Sequence, residues 1–506
     1  MSDTVKQEVE QTYLENPSKE GVENNRLAPA QLMSPDEFAA VEKRLKRKLD
    51  VRLMLCVWII FVMNYLDRNN ISAAKVAGIQ QSLSLNSTQY ATAVALLFAG
   101  YVLMQIPSNI FLAHLRPSIY IPTVMAAWGM LSALVGASQN AGGLYALRFL
   151  LGFVEAAFYP GALFLISSWY KRSEMGVRSA FLFSGSQLGS AFSGLIGAGI
   201  TGGLNGARGL ESWRWIFIIE GSATVFIAIF ALFILPNYPS NTSWLSPEER
   251  AVAEWRLISD AGQVDEDNED WSYGFKMAFK DWRLYVFALT FLCIQVASAT
   301  SNFFPTVVKT LGFSTVNTLL LTVPPYMLGL VVSIANNWSA DRFQNSSFHA
   351  MGPMVAAILG FVVAAATLNT GARYFAMVLM VAGGHGSNAV VLAWTQKTML
   401  RPRIKRASAV AFVNAFGNLA QIFSSYFYPD SSAPRYVIAM AANSAFSLAV
   451  IVLALCMRFI LLRANKRLER GETTVSEEMR GQSQMEIAGL SEEERVARRE
   501  GFRYIA

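Results

Sequence analysis

Apolar and polar residues alternate along this chain in long blocks instead of mixing evenly. Stretches such as Leu284–Ile294, Leu319–Ile334 and Val355–Leu368 contain no Asp, Glu, Lys or Arg. A bilayer core needs about 20 mostly apolar residues per helix, and about twelve such blocks are present. They are continuously apolar, which selects helices over a barrel. Spans are expected near 52–74, 88–114, 119–138, 143–168, 177–203, 213–236, 283–308, 316–339, 350–369, 373–398, 407–428 and 434–463. The expected fold class is an all-α polytopic membrane protein with about twelve transmembrane helices.

The blocks fall into two groups of six around a hydrophilic stretch. The expected division is a tail over 1–50, a helical bundle over 51–236, a linker over 237–282, a second bundle over 283–464 and a tail over 465–506. Two six-helix bundles joined by a central loop is a layout of repeat-built transporters. The halves share no convincing residue-level identity, so the repeat rests on hydropathy. Within the linker, Ser246-Pro247-Glu248-Glu249 reads as a capping box with Pro at the first helical position, predicting a short surface helix. The run Asp265-Glu266-Asp267-Asn268-Glu269-Asp270 then reads as a solvated acidic patch. Capping boxes recur at Ser34-Pro35-Asp36-Glu37, ahead of an amphipathic basic helix over Glu37–Lys48, and at Ser491-Glu492-Glu493-Glu494.

Composition agrees with this reading. The chain has 506 residues, 53% hydrophobic and only 15% charged, against about a quarter charged in soluble domains. Its formal charge of +6 does not point to nucleic acid. Lys43, Arg44, Lys46, Arg47, Lys48, Arg52, Arg116, Lys171, Arg172, Arg178, Arg342, Arg401, Arg403, Lys405, Arg406, Arg463, Lys466, Arg467 and Arg470 collect on one side of the predicted spans. The positive-inside rule then makes both termini cytoplasmic, and the plasma membrane is the expected location. The first 50 residues have no apolar core of signal-peptide type, so the first span is expected to act as its own insertion signal. Cys56, Cys293 and Cys456 fall inside predicted spans and read as inert, buried thiols. No nucleotide loop or nucleophile–base motif is present, so enzyme activity is not expected, nor any cofactor or metal. Asn86-Ser87-Thr88 is a glycosylation sequon close to the second span.

Charged groups in hydrocarbon cost at least about 2.5–3.5 kcal/mol each and need a reason to be there. The first span carries Asn64-Tyr65-Leu66-Asp67-Arg68-Asn69-Asn70. Arg68 lies about 24 Å of helix rise beyond Arg52, within the membrane if the helix tilts. Asn64 and Arg68 share a face, while Asp67 sits about 100° round from Arg68. In the fourth span Arg148, Gly152, Glu155 and Tyr159 form one stripe. Glu155 lies about 18 Å from the outer end, near the bilayer middle. Burial there disfavours its charged form, which makes it the best candidate proton carrier. Arg68 is the natural clamp for a substrate carboxylate. The bland alternative is a structural network linking Asp67, Arg148 and Glu155; Arg148 and Glu220 read mainly as structural.

The second half has no central acid. It offers Asn302, Asn336, Asn337, His385, Asn388, Gln396, Asn414, Asn418 and Gln421. Such groups orient a polar substrate without adding charge, and Asn414 and Asn418 are one turn apart. His385 offers either a proton relay or a hydrogen bond to a neighbouring helix. In the fifth span Gly185, Gly189, Gly194, Gly197 and Gly199 predict close helix approach, with sliding during transport as the second reading.

Several of these motifs together resemble the major facilitator superfamily, and within it the anion:cation symporters, in the fungal allantoate, nicotinate and carboxylate permease branch. The likeness is carried by Asn64-Tyr65-Leu66-Asp67-Arg68-Asn69-Asn70-Ile71 and by Arg148-Phe149-Leu150-Leu151-Gly152-Phe153-Val154-Glu155-Ala156 with Pro160-Gly161. Trp213-Arg214-Trp215-Ile216-Phe217-Ile218-Ile219-Glu220-Gly221, Phe303-Phe304-Pro305-Thr306 and Pro324-Pro325-Tyr326 add to it. The resemblance implies Arg68 as anion ligand, Glu155 and Asp67 as protonation sites, Gln187 in the substrate site, and either Asn414 or Asn418 beside it. One departure is the loop Leu112-Ala113-His114-Leu115-Arg116-Pro117-Ser118, which lacks the superfamily's Gly-rich, Asp-containing form, whereas Ser339-Ala340-Asp341-Arg342-Phe343 keeps it better.

The expected function is proton-coupled symport of a small organic anion by alternating access. The expected partners are that anion, protons and surrounding lipid, with no nucleic acid and a monomeric chain. The rivals are an exporter with the same fold and a nutrient sensor that does not transport. Arg68, Gln187, Asn414, Asn418 and His385 are the candidate substrate ligands. Glu155 and Asp67 are the candidate proton carriers, supported by Asn64, Arg148 and Tyr159.

Overall fold

A computed structural model describes residues 32–261, 271–399 and 403–469, and the described residues form helices with no strand. The chain enters through a surface helix, Pro35–Leu49. Its capping box is formed: Ser34 Oγ accepts from the Glu37 amide at 3.3 Å and Glu37 Oε2 from the Ser34 amide at 2.9 Å. Val41, Leu45 and Leu49, spaced one turn apart, are buried. The backbone then runs through the wider turns of Asp50–Met54 into the first span, Leu55–Val76.

The later spans are Ser87–His114, Pro117–Val135, the pair Ala141–Glu155 and Phe158–Ser167, Arg172–Gly203, and Ser212–Ile234. After the linker come Arg283–Ser298, Val323–Arg342, Ser346–Ala366, the pair Thr370–Gly386 and Asn388–Thr398, Arg403–Asn418, and Val437–Glu469. Among the described residues, nine helices are long and apolar enough to cross a membrane. The fourth, fifth and eleventh spans fall outside that set. The fourth and eleventh are interrupted, and the fifth carries Gly and Ser along its length. The fourth breaks after Glu155 because Pro160 has no N–H to give the Ala156 carbonyl.

The two halves repeat one pairing scheme that residue identity does not reveal. In the first half the third span packs on the sixth, the second on the fourth, and the first on the fifth and sixth. In the second half the ninth packs on the twelfth, the eighth on the tenth, and the seventh on the eleventh and twelfth. Between halves, the fifth meets the eighth and the second meets the eleventh, again as equivalent pairs. The exterior is apolar: Phe233 is 82% exposed, and Phe226, Val331 and Trp338 also face outward. Such a belt is a liability in water and ordinary against lipid. Cys56 and Cys293 are buried, but Cys456 is exposed on the outward side of the twelfth span, which corrects the expectation for that thiol.

Glycine sets the closest helix contacts. A Cβ on Gly189 would stand 2.7 Å from the Val62 carbonyl of the first span, and one on Gly194 would stand 2.8 Å from the Leu319 carbonyl. Gly199 meets nothing within 4 Å, so that member of the predicted series is not a packing contact.

On the face carrying the surface helix, a charged clasp ties that helix and the linker to the first half. The linker helix Pro247–Ala261 starts at Ser246, whose Oγ accepts from the Glu249 amide at 3.1 Å. Lys48 pairs with Glu249 at 2.6 Å, Lys46 with Glu174 at 2.7 Å, and Lys171 with Glu42 at 2.9 Å. Arg256, fully buried, bonds Glu174 and lies 3.6 Å from Glu42. Burial pushes the Glu42 carboxyl up, but Lys171, Arg256 and Lys46 outweigh it and hold it below the usual carboxylate range. The acidic run at 265–270 and the capping box at 491–494 lie outside the described residues.

Candidate functional site

A chamber lies where the two halves face each other, lined from the first, second, fourth and fifth spans on one side and from the seventh, tenth and eleventh on the other. Arg68 projects into it. Its Nε donates to Glu155 Oε2 at 2.7 Å; the Glu155 side chain is fully buried and that of Arg68 is 14% exposed. The guanidinium also lies over the rings of Tyr101 at 4.5 Å and Tyr65 at 5.5 Å. Because the ion pair uses Nε, the two terminal nitrogens stay available for a planar anion.

Local packing explains how Glu155 arrives there. It closes the first piece of the fourth span, where Gly152 lies directly against the Leu97 backbone of the second span. The stripe predicted from spacing is therefore bent. Arg148, Gly152 and Glu155 share a buried face, whereas Tyr159 follows the break and reaches the chamber separately, stacked on Phe61 at 5.4 Å. Glu155 Oε1 and Asn64 Nδ2 are buried without hydrogen-bond partners among the described residues. Arg148 donates to the Ala93 carbonyl at 3.4 Å, and among the described residues no ion pair joins it to Asp67 or Glu155.

Asp67 points elsewhere. Its carboxylate accepts from Ser132 Oγ at 2.7 Å and from Thr224 Oγ1 at 2.8 Å, on the third and sixth spans. It is fully buried and does not line the chamber. The step of one residue, about 100° round a helix, turns the two neighbours onto different faces of the first span.

The second half supplies neutral polar groups. Asn302 Nδ2 donates to Gln421 Oε1 at 2.8 Å, and Gln421 Nε2 to the Gln295 carbonyl at 3.1 Å. Gln295 Nε2 reaches Asn418 Oδ1 at 3.4 Å, while Asn414 lines the chamber with no hydrogen bond to the described residues. His385 Nε2 lies 3.0 Å from Ser301 Oγ, on the chamber wall. Asn336 and Asn337 are engaged with backbone carbonyls instead.

Gln187 is not among the lining residues. It is buried at the contact with the eighth span, its Oε1 unpartnered beside Gly329. Ser186 and Ser190 take the chamber-facing positions of the fifth span. Spacing alone missed both, along with Tyr65, Tyr101 and Gln295. Gln295 was legible as a lone amide in an otherwise apolar run. No group of three His, Cys, Asp or Glu suited to a metal occurs among the described residues.

The halves are tied together on the face opposite the surface helix. Lys75 Nζ pairs with Asp430 Oδ1 at 3.1 Å and lies over the Tyr90 ring at 4.6 Å. Asp430 Oδ2 accepts from Ser87 Oγ at 2.7 Å and Gln80 Nε2 at 3.1 Å. Phe303 and Tyr428 stack beneath at 4.6 Å. In the second-half loop, Asp341 pairs with Lys397 at 2.7 Å, joining the ends of the eighth and tenth spans.

Comparison with known proteins fits this architecture. The family model described as Major Facilitator Superfamily matches residues 57–425. MFS-type transporter efuF of Hormonema carpetanum is 32% identical over 82% of this chain and 84% of its own length. Major facilitator-type transporter hxnP of Emericella nidulans is 31% identical over 84% of this chain and 87% of its own. Among solved structures, a bacterial homologue of the human lysosomal transporter Spinster, inward-facing and unoccupied, superposes with a TM-score of 0.62 at 15% identity. It covers 80% of this chain and 95% of that one. By its matched length, its relatives and its two facing bundles, the chain belongs to the Major Facilitator Superfamily, whose members are transporters and not enzymes.

Proposed function

We propose that this transporter carries a small organic anion, a carboxylate, coupled to protons, through the chamber between its two halves. The observation that carries this reading is Arg68 at the chamber wall, paired with Glu155 buried behind it. A proton on Glu155 releases the guanidinium, and a substrate carboxylate then takes over as its counter-charge. Proton and anion thus bind together because each removes the cost of the other. The aromatic surfaces of Tyr65, Tyr101 and Tyr159 suit a flat cargo, and Asn414 and His385 offer hydrogen bonds at its far end. This supports assignment to the anion:cation symporter branch. Gln187 and Asp67 would act indirectly, through the fifth–eighth and first–sixth contacts.

The basic face at the surface helix supports a cytoplasmic placement of both termini in the plasma membrane. Closure on the opposite face then corresponds to a state open toward the cytosol. The testing experiment is uptake of a panel of carboxylates into proteoliposomes at several pH values, with Arg68→Ala as the blank. Uptake of carboxylates that Arg68→Ala loses supports the reading. Equal uptake by both proteins, or uptake of neutral solutes only, removes it.

A further inference from the structure

Behind the chamber wall lies an acid that the chamber does not use. Glu220, in the sixth span, is 2% exposed, and neither carboxyl oxygen has a hydrogen-bond partner among the described residues. Helical spacing defines its surroundings. Thr224, one turn on, donates to Asp67 Oδ2 at 2.8 Å. Asn70, one turn on from Asp67, is fully buried, with both its amide nitrogen and its oxygen unengaged. The face Asp67/Asn70 of the first span therefore meets the face Glu220/Thr224 of the sixth. Asn70 and Asp67 are the groups that act on the Glu220 carboxyl.

Among the described residues, no cation pairs with it. The third span contributes Ser132, which bonds Asp67, and Trp128, both neutral. It lies so close that a Cβ on Gly129 would stand 2.9 Å from the Gly221 carbonyl. From the fourth span, Glu155 acts on Asp67, and Asp67 in turn on Arg148. An ionised carboxylate with neither donor nor cation is the costliest group to leave in hydrocarbon, and a second anion beside it raises that cost. A protonated carboxyl is different. It matches a primary amide reciprocally, its O–H donating to the amide oxygen and its carbonyl accepting from the amide nitrogen. Asn70 presents that amide with both atoms free.

We propose that Glu220 is a further proton-binding site, holding a proton as a neutral acid against Asn70, beside the Asp67 carboxyl that Ser132 and Thr224 engage. The proton arrives from water and returns to it, with no other reactant. The site lies on a different face of the first span from Arg68, so an anion in the chamber does not displace its proton by contact. The inference holds for any cargo.

The test is infrared spectroscopy of the full-length protein in lipid nanodiscs at neutral pH, comparing wild type with Glu220→Gln, Asn70→Leu and Glu155→Gln. The expected result is a protonated-carboxyl absorption that is lost in Glu220→Gln, kept in Glu155→Gln and shifted in frequency by Asn70→Leu. A spectrum in which Glu220→Gln removes carboxylate absorption instead, or leaves the protonated band intact, overturns the proposal. Loss of the wild-type band when choline is exchanged for sodium also overturns it, because a metal ion would then occupy the site. Should Glu220→Gln not fold, the Asn70→Leu shift decides, and an unshifted band is negative.

Discussion

Arg68 Nε and Glu155 Oε2 stand 2.7 Å apart at the edge of the chamber, joining the first span to the fourth. The pair leaves Glu155 Oε1 without a partner and the guanidinium partly exposed, so it is satisfied on one side only. A structural ion pair in hydrocarbon gains by closing every lone pair. Here Glu155 Oε1 stays unpaired within the protein and only the Arg68 guanidinium reaches the cavity, which leaves the arginine able to take another counter-ion.

Arg68→Lys is therefore expected to weaken carboxylate binding although the charge is kept. A lysine ammonium replaces the planar fork with a point charge. The loss should amount to about 1.5–3 kcal/mol, the worth of a hydrogen bond to a charged group. Competition binding with a transported carboxylate measures it, and unchanged affinity would argue against a guanidinium clamp.

The Lys75–Asp430 pair predicts a shift in the balance of open states. Burial raises the Asp430 carboxyl, but the Ser87 hydrogen bond and Lys75 outweigh it and hold it below the usual carboxylate range. Its contribution is thus present above the ordinary carboxylate pKa and is lost as pH falls through the lowered value. Lys75→Ala or Asp430→Asn should remove about 1 kcal/mol from the closed face. A Ser186→Cys thiol in a Cys-free background should then react faster with an impermeant reagent added from that face. Unchanged labelling would mean that the aromatic stack alone holds the closure.

Gly189 and Gly199 make a paired test of helix approach. Gly189→Ala places a methyl against the Val62 backbone and should destabilise the protein by about 1–3 kcal/mol. Gly199→Ala enters open space and should leave thermal unfolding within about 0.5 kcal/mol of wild type. Equal melting of the two variants would contradict the packing described.

Arg256→Ala should loosen the linker. It removes the buried member of the clasp and leaves Glu42 and Glu174 to Lys46 and Lys171, at a cost of about 1.5–3 kcal/mol, the worth of a hydrogen bond to a charged group. Because the Glu42 carboxyl is held below its ordinary range, its part of the clasp is complete at neutral pH and fails only as pH falls through the lowered value. Limited proteolysis across 237–282 at neutral and acid pH reads both effects. A variant as resistant as wild type would show that the apolar contacts of Val41, Leu45 and Leu49 suffice.

Much of this architecture was legible because lipid makes apolar blocks unambiguous. The helical architecture and the capping boxes at Ser34 and Ser246 follow the residue pattern, and Arg68 and Tyr159 line the chamber with Glu155 buried behind Arg68. What the pattern lacks is helix rotation. Asp67 and Arg68 are adjacent and equally costly to bury, and only packing decides that Arg68 meets the chamber while Asp67 meets Ser132 and Thr224. The same uncertainty of one residue separates Gln187 from Ser186. Repeat symmetry was hidden for another reason: it lives in which helices touch, and lipid-facing positions accept many apolar side chains without changing that pattern.

The exchange of Glu155 for a substrate anion is tested most directly by transport driven by an imposed pH gradient. In proteoliposomes with acid outside, wild type should accumulate a carboxylate above equilibrium, and Glu155→Gln should exchange it without accumulating it. Continued gradient-driven accumulation by Glu155→Gln would contradict the account.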